Sequence, residues 1–319
     1  MIDLQAESQK ELNRRALKWF VALAFGGSWG LWSLLWIYDV SMPSPDHMTT
    51  AEFLRFARFA APGTLFPGIS ALVVTRLVLH ESWRSTTLGT LGKKRFYLWS
   101  WLLFPGLVLT TILLSVFLGS AHFDPNLTYV RAQLPPGASN VPAAEVWRTY
   151  LRTLAFHLTL VPLTNVILPG LGEELGWRGF LQPRLKKAGF GLWTAMIITG
   201  AIWGRWHAPV MIRGQYPGHP YLGALLTIPY CVFLAIIFGW LRVASGSVWV
   251  VAVAHASLDV SSSDGVAMLA PGFDFALAGG LESLIGWLPL LGFIGWLVWS
   301  RRLPFPTLTQ NSRETETAA

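Results

Sequence analysis

Residues 221–241 contain no Asp, Glu, Lys or Arg. Twenty or so apolar residues are what an α-helix needs to cross the roughly 30 Å hydrocarbon layer of a bilayer. Inside that layer no water satisfies backbone N–H and C=O groups, so the run predicts a helix that closes its own hydrogen bonds. Comparable runs recur near residues 19–40, 60–79, 98–119, 153–181, 192–212, 247–261 and 280–300. The pattern predicts an all-α, polytopic integral membrane protein with about eight transmembrane helices. Composition agrees: only 13% of residues are charged, against the roughly 25% usual in soluble domains. Residues 1–18 read as a cytosolic N-terminal segment, 19–301 as one transmembrane domain and 302–319 as a polar tail. The stretch 121–147 reads as a loop.

The net charge of +7 is no nucleic-acid signature, because the basic residues fall in short clusters between apolar runs. That placement points to membrane lipid and to topology. Fifteen Lys and Arg, including Arg14, Arg15, Lys93, Lys94, Lys186 and Lys187, fall in alternate connections and termini, against six in the others. By the positive-inside rule this predicts both termini in the cytosol. The single Cys, Cys231, rules out an intramolecular disulfide.

Ionisable residues left inside the predicted spans are costly there and mark function. The densest set is Gly172-Glu173-Glu174-Leu175-Gly176-Trp177-Arg178-Gly179. Glu174 and Arg178 are four apart, so on a helix they pair along one face. Glu173 is turned about 100° away and is predicted to remain free for chemistry. Two further words are Trp203-Gly204-Arg205-Trp206-His207-Ala208-Pro209 and His255-Ala256-Ser257-Leu258-Asp259. Glu173 and His207 are each about 17 residues from Phe190, so a helical hairpin turning there puts them at equal depth. His255 reaches the same half of the membrane, which predicts a water-filled cavity open to the cytosol. Two chemistries fit this set. A carboxylate beside an imidazole can activate water against a carbonyl. Alternatively, Glu173, His207 and His255 could ligate Zn²⁺, although H-E-x-x-H is absent.

In order and spacing, Glu173-Glu174-x-x-x-Arg178, Trp203-x-x-x-His207 and His255 with a polar residue four later resemble the three motifs of the CAAX-protease and bacteriocin-processing (CPBP) family. The flanking words Gly-Trp-Arg-Gly-Phe-Leu-Gln-Pro-Arg-Leu and Trp-His-Ala-Pro resemble its bacterial members. This resemblance implies a bacterial plasma-membrane endopeptidase acting on a peptide or protein substrate, of which lipidated CAAX segments are one class. It implies Glu173 and His207 as the water-activating pair and His255 with its partner at the oxyanion, with Glu174, Arg178 and Trp203 in support. The metalloprotease label is attached to the family by the same resemblance. This chain departs from the pattern with Trp203 where Phe is usual and Asp259 where Asn is usual. Asp259 could orient His255 by accepting its hydrogen bond, or donate as Asn would if protonated.

Other classes were weighed against this one. Gly26-Gly27-Ser28-Trp29-Gly30 fits the serine-hydrolase G-x-S-x-G but lies inside a predicted span with no strand before it. Tyr38-Asp39 resembles an aspartyl-protease word without its G-x-G-D partner. An ion-coupled transporter predicts inverted repeats, and none is evident. A non-catalytic immunity or binding protein of the same fold is the remaining alternative.

Overall fold

The computed structural model describes residues 2–42, 49–134, 140–160, 165–216 and 218–303. Among these residues there is no strand, only helices and one isolated bridge between Phe123 and Leu269. The helices that frame the site are α1 (Ile2–Trp32), α2 (Thr50–Ala60), α3 (Phe66–Leu77), α4 (Arg95–Phe117) and α5 (Ala143–Thr159). They are followed by the short α6 (Leu171–Gly176) and α7 (Gln182–Lys187), then α8 (Leu192–Trp206), α9 (Pro220–Ser245), α10 (Val248–Val266) and α11 (Trp287–Trp299).

Among the described residues, four helical stretches are long and apolar enough to cross a membrane: Glu7–Ile37, Ala51–Leu77, Arg95–Phe117 and Pro220–Ser245. The chain is an integral membrane protein, but length and apolarity do not carry the expected count of eight. The physical reason lies in the motif-bearing segments, whose charges and backbone breaks interrupt the long apolar helix. The described part of the expected span 153–181 holds the end of α5, a π-helical turn Val166–Gly170, α6 and a second π-helical turn Trp177–Leu181. α8 has 15 residues and α11 has 13, both short of a full crossing. α10 has the length but carries Asp259 and Asp264.

Other expectations shift in detail. Helix α1 begins at Ile2, so the segment before residue 19 is helical and continuous with the first span. The stretch read as the loop 121–147 contains a helical turn, Thr128–Ala132, and the start of α5. Beyond residue 303 the expected polar tail lies outside the described residues.

Close backbone approaches bring the motif helices together. A Cβ on Gly176 would lie 2.5–2.7 Å from Pro67, so α6 can press against α3 only with glycine there. A Cβ on Gly204 would lie 2.6 Å from Cα of Ile228, which makes the same case for α8 against α9. α8 ends at His207, and Pro209, which has no N–H to continue the ladder, follows at the start of a short separate turn.

Candidate active site

The two adjacent carboxylates of α6 are buried and have different partners. Glu173 is 3% exposed, and its Oε2 accepts the indole N–H of Trp203 at 2.7 Å and that of Trp177 at 3.4 Å. Trp177 is four residues on from Glu173, so α-helical spacing places the two on one face. Glu174 is fully buried, and its Oε1 accepts Arg178 Nη1–H at 2.7 Å. The same oxygen lies 2.9 Å from Nδ1 of His255, which donates, since a carboxylate only accepts. The predicted i,i+4 pair is thus present, and it is also the anchor of a histidine 81 residues away.

Arg178 is fully buried, with its guanidinium 4.3 Å from the centre of the Trp203 ring and 4.9 Å from that of Phe238. Aromatic faces attract a cation most strongly where water is excluded. His255 touches the same two rings, at 5.5 Å from Trp203 and 5.7 Å from Phe238. Phe238 is a member of the site that sequence reasoning missed, because it lies in an apolar helix with no polar signal beside it.

His207 hydrogen-bonds its own helix. Its Nδ1–H donates to the carbonyl of Trp203 at 3.0 Å, which fixes the tautomer and leaves Nε2 for the site. Cys231 Sγ lies 3.8 Å from the same Nδ1. The hairpin prediction put Glu173 level with His207. The structure puts Glu173 level with Trp203, one turn earlier, and no hydrogen bond joins Glu173 to His207 among the described residues.

Asp259 Oδ1 is 3.7 Å from His255 Nε2, an ionic contact longer than a hydrogen bond, so Glu174 is the tighter partner of the two. The Asp259 side chain is 38% exposed, although Ala256, Ser257, Leu258 and Val260 around it are buried. Accessible space therefore reaches the His255–Asp259 face of α10. Two surface pockets lie elsewhere: one of about 360 Å³ is lined by Leu34, Tyr38, Arg55, Arg58 and Phe59, and another lies along α1 and α3. The Tyr38-Asp39 word is accounted for structurally, since Asp39 pairs with Arg213 at 2.8 Å.

The zinc alternative does not fit this arrangement. Among the described residues no three His, Cys, Asp or Glu side chains are grouped so that they could hold a metal ion. Glu173 is turned to two indoles, and Nδ1 of His255 is taken by Glu174.

Residues 155–261 match the Rce1-like family, described as type II CAAX prenyl endopeptidase Rce1-like. Over this stretch the chain is similar to the type II CAAX prenyl endopeptidases. The match runs from within α5 to within α10 and takes in all three motifs, about a third of the chain. It supports the resemblance read from the motifs and a protease reading of the site. No curated protein matches the chain.

Proposed function

We propose that the chain is an intramembrane endopeptidase that hydrolyses a peptide bond with a water activated by Glu173. The observation that carries this reading is the division of work between neighbouring carboxylates. Glu174 is committed to Arg178 and His255, whereas Glu173 has indole donors and no bonded cation. Both indoles engage one oxygen of Glu173, so its other oxygen is the natural acceptor of a proton from water. As the water oxygen bonds to the scissile carbonyl carbon, that proton passes to Glu173. It then passes to the amine nitrogen as the C–N bond breaks. His207 presents Nε2 to the water or to the leaving amine. His255, held by Glu174 and flanked by Asp259, faces the developing oxyanion. Arg178 and Trp203 support these groups without touching the reacting atoms.

The substrate class we propose is a peptide or protein segment that reaches the site from the cytosolic face or the inner leaflet, with prenylated CAAX segments first among them. The test is cleavage of fluorogenic C-terminal peptides, with and without a prenyl group, by the protein in liposomes. Glu173→Gln keeps the shape and both indole hydrogen bonds but cannot take the proton. Loss of a general base costs about 10²–10⁴-fold in rate. Glu173→Gln cleaving at the parent rate would overturn the water-activation role.

A further inference from the structure

Several fully buried polar atoms near the site have no partner in the protein. They include Glu174 Oε2, Arg178 Nε and Nη2, Gln182 Oε1 and Thr199 Oγ1, and Trp206 Nε1 lies beside His207. Their residues are all at most 2% exposed. A buried polar group left without a hydrogen bond is costly, and native structures pair nearly all of them with protein or ordered water. A single such atom would carry little. The first five share one track.

Glu174, Arg178 and Gln182 follow each other at four-residue spacing along the motif segment, across the π-helical turn Trp177–Leu181. π-helical turns break the regular i→i+4 ladder and concentrate at functional sites. α8 runs antiparallel to this segment beyond the turn at residues 188–191, and its levels match. Trp203 lies against Arg178 at 4.3 Å. Thr199 is one turn before Trp203, and Met196 nearly one turn before Thr199. A Cβ on Gly239 of α9 would lie 3.1 Å from Gln182 Oε1 and 2.7 Å from Met196 Cε. That places Gln182 level with Met196, which precedes Thr199 on α8 by nearly one turn. The neighbour of Gly239, Phe238, covers Arg178. The unpaired atoms therefore form a ladder between α6–α7 and α8, from the Glu174–His255 pair towards the basic end at Lys186 and Lys187.

We propose that this ladder holds a file of buried waters that supplies water and protons to the site from the end of α7. The atoms supply both of the roles a water file needs: a carboxylate acceptor, two guanidinium donors, an amide acceptor and a hydroxyl that does either. The supply role rests on the hydrolytic reading of the site, whereas the presence of water does not.

Radiolytic hydroxyl-radical labelling reads buried water directly, because radicals formed from a bound water oxidise the side chain beside it. Met196 is fully buried and lies next to Gln182. We expect it to be oxidised in the full-length protein in liposomes. Gln182→Leu and Thr199→Val should each lower that oxidation several-fold while Tm stays near the parent's. Met196 remaining unlabelled in the parent, or equally labelled in the folded double variant, would overturn the file. The same variants should lower kcat about tenfold with KM unchanged. Labelling lost with kcat intact would overturn the supply role alone. Cleavage failing in the parent while labelling follows the pattern would count against the proposed activity and leave the file standing.

Discussion

Helix α4 and the segment from Val166 to Lys187 are almost the same length, 23 and 22 residues, yet they solve the membrane problem in opposite ways. α4 is one unbroken apolar helix, and its buried polar groups are small hydroxyls. Thr111 and Ser115 donate to carbonyls one turn back at 3.0 and 2.8 Å, so these two need nothing beyond the helix. The motif segment buries Glu173, Glu174, Arg178, Gln182 and Arg184, and its backbone is broken by two π-helical turns. Its charges find partners on α8, α10 and α1. A regular helix crosses the bilayer by hiding its polar groups within itself, whereas a reactive one depends on its neighbours.

The comparison breaks most sharply at Arg178. Removing the guanidinium leaves Glu174 charged and buried, a loss of about 3–5 kcal/mol. Thermal unfolding of Arg178→Ala in detergent should show that loss, together with loss of His255 positioning and of cleavage. Replacing the pair together, Glu174→Gln with Arg178→Met, should recover much of the stability and none of the activity. An Arg178→Ala protein as stable as the parent would mean that the guanidinium is not the partner holding Glu174.

α4 gives the converse case. Leu109 is 50% exposed on a face with no partner helix to receive a charge. Leu109→Lys should cost about 2.5–3.5 kcal/mol on an insertion scale, read as reduced membrane integration. If it inserts as well as the parent, a charge on a regular span would be as tolerable as one in the motif segment, and the contrast would fail.

A smaller effect is expected at the end of the motif segment, outside the spans. Arg184 donates to Asn13 at 3.1 Å and to Glu81, tying α7 to α1 and to the turn after α3. Partial burial raises the Glu81 carboxyl, and the Arg184 guanidinium with Lys187 more than offsets it, so the group is held below its ordinary 4.5. A depressed folded-state value contributes stability above 4.5, and that contribution is lost as pH falls through the folded value. The parent should therefore lose stability relative to Glu81→Gln as pH falls below 4.5, and the difference should be constant from pH 6 to 8. A pH-independent difference would remove the ion pair from the account of how α7 is held.

The Glu174–Arg178 pair was legible in the chain because four-residue spacing on a helix is a local fact. The shared face of Glu173 and Trp177 was equally local, though only its carboxylate was singled out. The membrane environment and the three motif words were also carried by the chain, since apolar run length and residue order need no third dimension. What folding decided was which groups meet across helices. Glu174 Oε1 joins Arg178 to His255, Trp203 turns to Glu173 while His207 turns back on its own carbonyl, and Phe238 closes over the guanidinium. The count of eight spans does not follow from hydropathy for the same reason. Hydropathy sums a run as though its backbone were continuous. Whether the helix breaks depends on tertiary partners that can satisfy the freed backbone groups and the buried charges, and those partners lie up to 171 residues away.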